Sequence, residues 1–252
     1  MSLAVVDSTE FQRLVRVERI LVCCDYDGTL APIVADPTQA FPEPGATAAL
    51  ERLVGCPGVS VAVVSGRAVR VLRELSGVGE GVALVGSHGA EFAEGVFPGL
   101  GDPQRQLLAE LQATARAITE GVPGAAVEEK PTSVAVHTRR ASQADSKRVM
   151  AAATEQLVNR AGVFVTEGKE VVEVAVLHAD KGDALRELQA SNRAEVALFV
   201  GDDVTDERAF AKLADADVGV KVGTGKSLAP FRIDSPAETV ALLNELAELR
   251  GC

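Results

Sequence analysis

Three short stretches of this sequence place chemically active side chains directly after apolar runs. Ile20 to Cys24 is unbroken and ends at Asp25-Tyr26-Asp27-Gly28-Thr29-Leu30. Val59 to Val64 ends at Ser65-Gly66-Arg67, and Val196 to Val200 ends at Gly201-Asp202-Asp203-Val204-Thr205-Asp206-Glu207. Carboxylates crowded together from different segments repel and lose hydration, and a divalent cation relieves both costs. With oxygen ligands only and no His or Cys among them, the set suits Mg2+ rather than zinc. Asp206 and Glu207 have a plainer role available, facing the positive end of a following helix. That role does not explain Asp25, Asp202 and Asp203. Lys181 is also unusual. In Asp180-Lys181-Gly182-Asp183 it precedes Ala184, Leu185 and Leu188, which puts a cation at a helix N-terminus, against the dipole. It is either a solvated surface lysine or a phosphate ligand, since an anion there would satisfy both the lysine and the dipole.

A doubly wound sheet would gather these residues. Val82 to Val85 and Val218 to Val222 are two more apolar runs, and runs of this length suit parallel strands buried on both faces. Helical stretches follow them: Gly45 to Val54, Ala68 to Leu75 and Asp206 to Leu213. The last helix repeats Val240, Leu243, Leu246 and Leu249 and opens with Ser235-Pro236-Ala237-Glu238, a capping box with Pro at the first helical position. Strand alternating with helix means an α/β, doubly wound parallel, Rossmann-like core, whose ligands sit outside the carboxyl ends of the strands. The middle of the chain differs. Helical spacing at Leu107, Leu108, Leu111, Ala115 and Ile118 precedes an alternating strand, Ser133 to His137; Met150, Ala153 and Leu157 precede two strand pieces about Gly168. This predicts an inserted α+β module over 102–177, with Gly99-Leu100-Gly101 as one hinge and the core formed by 1–101 and 178–252.

Composition sets the outer bounds. The 252 residues, at about 150 per domain, make one large or two small domains. Apolar residues at 47% and charged residues at 24% exclude a disordered chain. With 25 Lys and Arg against 36 Asp and Glu, the net charge of −11 argues against nucleic acid and acidic membrane as partners. No apolar run approaches the ~18 residues of a membrane span, and Met1 to Gln12 lacks the basic segment of a signal peptide. Cys23, Cys24, Cys56 and Cys252 fit neither a zinc site nor a disulfide framework, so four reduced thiols and a cytoplasmic location are expected. Gly223-Thr224-Gly225-Lys226-Ser227 ends like a P-loop but has Val220 where the first glycine belongs, and reads as a turn.

Asp25-Tyr26-Asp27-Gly28-Thr29-Leu30, Ser65-Gly66-Arg67, Lys181 and Gly201-Asp202-Asp203 resemble, in order, the four motifs of the haloacid dehalogenase (HAD) superfamily. Finer features resemble its trehalose-6-phosphate phosphatase family: Leu30-Ala31-Pro32-Ile33, Gly86-Ser87-His88-Gly89-Ala90-Glu91, Glu128-Glu129-Lys130, His137-Thr138-Arg139 and Gly201 to Glu207. One departure stands out. Where that family has Arg-Pro shortly after the Glu matched to Glu173, this chain has Val174-Ala175-Val176.

The resemblance implies a Mg2+-dependent phosphatase acting on trehalose 6-phosphate in the last step of trehalose biosynthesis, with trehalose-6-phosphate synthase as a functional partner. It implies Asp25 as nucleophile, Asp27 as general acid and then base, and Ser65 and Lys181 as ligands of the phosphoryl oxygens. Mg2+ would be held by Asp25, the Asp27 carbonyl and Asp202, supported by Asp203 and Asp206. The insert would be a substrate-specificity cap in which Glu128, Lys130, Arg139 and Glu173 contact the sugar; each has the alternative of an exposed strand charge. A lone His near a strand is more often structural than functional, and both readings stay open for His88 and His137; His178 is assigned no role. Two other readings remain: a related phosphatase for another sugar phosphate, and a catalytically silent sugar-phosphate-binding domain. A receiver-type module also combines Asp, Mg2+ and Lys, but has neither a second Asp at the place of Asp27 nor such an insert.

Overall fold

The apolar runs form the centre of a parallel sheet in a computed structural model that describes residues 4–92, 101–177 and 180–252. The chain divides into two units, Met1–Glu94 with Ala179–Cys252, and Gly95–His178. The first contains α1 (Thr9–Arg16), β1 (Ile20–Cys24), α2 (Ala46–Val54), β2 (Val59–Val64), α3 (Val69–Ser76), β3 (Val82–Gly86) and β4 (Glu91–Phe92). The second contains α4 (Asp102–Thr119), β5 (Ala126–Glu129), β6 (Ser133–His137), α5 (Gln143–Ala153), β7 (Phe164–Gly168) and β8 (Val171–Ala175). The first unit then resumes with α6 (Lys181–Ser191), β9 (Val196–Gly201), α7 (Asp206–Phe210), β10 (Val218–Val222), β11 (Phe231–Ile233) and α8 (Pro236–Leu249). Of the hinge residues, Gly99 and Leu100 lie outside the described residues, as does His178; Gly101 is the N-cap of α4.

The core sheet has the order β11-β10-β9-β1-β2-β3-β4, parallel except for β4. The chain winds outward from β1 through β2 and β3, then returns to the other side of β1 with β9, β10 and β11. The switch point is therefore β1, flanked by β2 and β9. Cys24 stands level with Val63 on β2 and Val200 on β9, so Asp25, Ser65 and Asp202 leave the same edge.

Every residue of β1 is buried, and the pleat sends successive side chains to opposite layers. Ile20, Val22 and Cys24 pack with Leu50 and Leu53 of α2 and Leu243 and Leu246 of α8. Leu21 and Cys23 pack with Leu185 of α6 and Phe210 of α7. On α8 the side chain of Ser235 accepts from Glu238 N, while the Glu238 carboxylate caps Asp234 N, one residue before the N-cap. Its buried stripe is Thr239, Leu242, Leu243, Leu246 and Ala247, and Leu249 is exposed. A strict three-residue repeat slips by about 60° per step on a helix of 3.6 residues per turn, which rotates Leu249 out of the core.

Two features differ from the sequence reading. The helix expected over Asp206 to Leu213 stops at Phe210. Cys56 and Cys252, expected as reduced thiols, form a disulfide across Cα atoms 5.5 Å apart. Packing of α2 against α8 brings the loop after one to the turn after the other, and spacing in sequence carries no record of that contact. The pair removes the thiol argument for a reducing compartment; Cys23 and Cys24 do remain free and buried. Among the described residues no helix is long and apolar enough to cross a membrane.

In the second unit an antiparallel sheet runs β5-β6-β8-β7. Val134, Val136, Val172 and Val174 are buried with Leu108, Leu111 and Ala115 of α4 and Val149 and Ala153 of α5. Ser133, Ala135, His137, Glu173 and Ala175 alternate with those valines and share the sheet's other face.

Candidate active site

The turn after β1 is set by backbone bonds. Asp25 N donates to Val200 O at 2.8 Å, extending the ladder one residue, and the Tyr26 carbonyl accepts from Leu30 N and Ala31 N at 2.9 and 2.8 Å. Gly28 closes the turn with φ +86°, and a Cβ there would lie 2.0 Å from Asp202 Oδ2. The glycine thus serves both a left-handed backbone and the close approach of a carboxylate from β9.

Asp25 and Lys181 are each 3% exposed. Lys181 Nζ donates to Asp25 Oδ1 at 2.6 Å and to Asp206 Oδ1 at 2.7 Å. Lys181 is held at the start of α6 by its neighbour Asp180, whose side chain caps Asp183 N. Asp206 is fully buried, and its Oδ2 accepts from the backbone N–H groups of Asp202 and Asp203, each at 2.9 Å. It is therefore the strut of the β9–α7 turn rather than a charge added for the helix dipole. Asp203 points elsewhere: its own carboxylate accepts from Val204 N.

Carboxylate oxygens of Asp25, Asp202 and Asp206 lie within 4.8 Å of one another. Burial, and then the charges of Asp206 and Asp202, push the Asp25 carboxyl well above its ordinary range, though Lys181 pulls it down. Burial and Asp206 likewise push Asp202 up. Burial works against the Lys181 charge, but Asp25 and Asp206 outweigh it and raise its pKa. Three carboxylates facing one ammonium leave an excess of negative charge on hard oxygen donors, and the donor set fits a divalent cation such as Mg2+. The oxygens of Asp206 are already engaged by Lys181 and two N–H groups. Asp25 and Asp202 are consequently the carboxylates best placed to face the ion.

Asp27 takes a different partner. Arg67 grips it with Nε and Nη2, both at 2.6 Å, and also donates to Pro37 O at 2.9 Å. The guanidinium lies 5.8 Å from the Tyr26 ring centroid. Ser65, 1% exposed, accepts from Arg67 N at 3.2 Å through its hydroxyl. Glu91 accepts from Val69 N at the start of α3, and the His88 ring packs over Gly66, where a Cβ would come within 2.5 Å of it.

Sequence reasoning passed over Lys221. It is 5% exposed on β10, and its ammonium donates to the Asp202 carbonyl. A lysine inside the run Val218 to Val222 was the available signal. The bidentate Arg67–Asp27 pair was also missed, since nothing in the spacing joins them.

In the second unit, Lys130 Nζ and the Ser133 hydroxyl both donate to Glu173, at 2.9 and 2.6 Å. Glu128 pairs with His137 Nε2 at 3.1 Å. Register places Glu128 and Glu173 on either side of Ala135 in one row across the sheet. Arg139 is exposed beyond the end of β6 and is not drawn into these pairs.

A parallel sheet with an aspartate at the end of β1, a lysine at a later helix start, aspartates after β9 and an inserted α+β unit is a HAD-type fold. The family model described as trehalose-phosphatase matches residues 23–237, and the chain belongs to the trehalose-phosphatase family. It is 36% identical over 243 residues to the trehalose-phosphate phosphatase of Mycobacterium avium, covering 89% of this chain and 61% of that one. It is also 36% identical over 265 residues to an uncharacterized glycosyl hydrolase of Mycobacterium tuberculosis, covering 95% of this chain and 19% of that one. The chain thus spans about three fifths and one fifth of the length of these relatives. The solved structure of Aspergillus fumigatus trehalose-6-phosphate phosphatase is similar with a TM-score of 0.67 at 26% identity, over 94% of this chain and 95% of that one.

Proposed function

We propose that this chain is a phosphoric monoester hydrolase that converts trehalose 6-phosphate to trehalose and phosphate, dependent on Mg2+. The observation that carries this reading is the buried Asp25, held by Lys181 beside Asp202 at the switch point of a trehalose-phosphatase family fold. Asp25 attacks phosphorus in line, forming an aspartyl-phosphate as the bond to the sugar oxygen breaks. Asp27 delivers a proton to that oxygen and later takes one from the water that hydrolyses the intermediate, which restores the free Asp25 carboxylate. The bidentate grip of Arg67 takes both Asp27 oxygens, so Asp27 must turn out of that pair to reach the leaving oxygen and carry its proton. Lys181 and Ser65 hold phosphoryl oxygens, so that positioning and charge do most of the work. When bound by Asp25, Asp202 and the Asp27 carbonyl, a divalent cation supplies positive charge that offsets repulsion between carboxylate and phosphoryl group.

Glu128, Lys130, Arg139 and Glu173 supply the sugar contacts, because charged groups make the stronger hydrogen bonds to hydroxyls. The substrate places the chain after a trehalose-6-phosphate synthase. One observation favours a second reading, a phosphatase for another sugar phosphate: Val174-Ala175-Val176 follows Glu173 where the resemblance leads one to expect Arg-Pro shortly after it. The chemistry is tested by acid quench of labelled substrate during turnover. Label on Asp25 supports it; label-free enzyme, or Asp25→Asn with undiminished turnover, contradicts it.

A further inference from the structure

The second unit holds a charge group that is complete before any substrate arrives. Glu173 Oε2 accepts from Lys130 Nζ at 2.9 Å and Oε1 accepts from the Ser133 hydroxyl at 2.6 Å. Lys130 and Ser133 are 7% and 1% exposed, while the Glu173 side chain keeps 18%. Both donors come from the β5–β6 hairpin, whose turn is closed by Lys130 N on Ser133 O. Ser133 stands opposite Ala175, on the same sheet face as Glu173 and Ala135. Ala175 is a residue at which the family pattern changes, and it contributes no charge to this row. Lys130 therefore serves as the counter-ion of Glu173, and Ser133 fixes the carboxylate's other oxygen.

A free glutamate loses rotamer entropy when it binds a ligand, whereas one held by two donors has lost it on folding. A carboxylate has about four lone-pair directions. Two are spent on Lys130 and Ser133, which leaves two for neighbouring hydroxyls of a sugar ring. We propose that Ser133 is a positioning residue for substrate recognition, fixing the Glu173 carboxylate so that it accepts hydroxyl donors from the sugar of a phosphorylated sugar. This rests on the phosphatase reading above. Ser133 acts through Glu173 and touches no reacting atom.

The test is steady-state kinetics of wild type, Ser133→Ala and Ser133→Thr on trehalose 6-phosphate and on p-nitrophenyl phosphate, beside a crystal structure of Ser133→Ala. The expected result for Ser133→Ala is a KM for the sugar phosphate raised about tenfold, or about 1.4 kcal/mol. Its kcat should move less than about threefold, since uniform binding is what is lost. Its KM for the aryl ester should stay put, and the Glu173 carboxylate should take a new rotamer in the crystal. Ser133→Thr, which keeps the hydroxyl, should recover most of the KM. Ser133→Cys, with a weaker donor, should show the same split if the alanine variant fails to fold. An unchanged KM, or equal losses on both esters, overturns the positioning role alone. Wild type with no preference for a sugar phosphate over the aryl ester overturns the reading beneath it, and the proposal falls with it.

Discussion

Gly28→Ala isolates the contact on which the carboxylate cluster depends. Gly28 has φ +86°, and its Cβ would lie 2.0 Å from Asp202 Oδ2 and 2.7 Å from Oδ1. Two costs add. A non-glycine residue in this backbone region costs about 1–3 kcal/mol. The contact adds a displacement, because non-bonded heavy atoms settle near ~3.5 Å, so the Asp202 carboxylate must retreat by more than ~1 Å. A misplacement of that size in an active site costs on the order of 100-fold in rate. The expected result is kcat/KM down about 100-fold with a higher Mg2+ requirement. Gly77→Ala is the control: φ is +61° there, with nothing within 4 Å of the new methyl. It should lose about 1 kcal/mol of stability and keep turnover. Phosphate release at saturating Mg2+ and urea denaturation of both variants supply the readings. A Gly28→Ala protein within about threefold of wild-type kcat/KM would refute the placement of Asp202 against this glycine.

Asp25 and Asp202 both have raised folded pKa values, by burial first. Such a group stabilises the fold while protonated, and that stability is lost as pH rises from ~3.9 through the raised value. Metal-free protein should therefore gain progressively more in Tm from Mg2+ as the pH is raised, and a gain that does not change with pH in calorimetry would count against the cluster as an ion site. Cys252→Ser removes the bridge to Cys56, separated by 196 residues, and should cost about 2–4 kcal/mol in oxidising buffer. The same variant compared under reductant should show no difference; a difference there would mean that the serine acts by some other route.

Much of the site was legible because its residues break local rules. Asp25 and Asp202 each follow an apolar strand, where nothing about folding asks for a carboxylate, and Lys181 opposes a helix dipole. The sheet they needed was equally legible from its buried strands. What stayed hidden depends on the third dimension. Asp206 rather than Asp203 faces Lys181 because the turn after β9 folds Asp206 back onto two backbone N–H groups. Arg67 reaches Asp27 across 40 residues of chain. The Cys56–Cys252 pair depends on α2 lying beside α8, a contact between elements far apart in sequence. Helix α1 was passed over although Phe11 and Leu14 carry its buried face and Ser8 caps it, because eight residues give too short a period to stand out.

The most direct measurement is phosphate release from a panel of sugar phosphates that includes trehalose 6-phosphate, with and without Mg2+, and with Asp25→Asn beside the wild type. Strong Mg2+-dependent preference for trehalose 6-phosphate, abolished in Asp25→Asn, is the expected result. Turnover spread evenly over other sugar phosphates would contradict the substrate, and turnover of no ester at all would contradict the phosphatase itself.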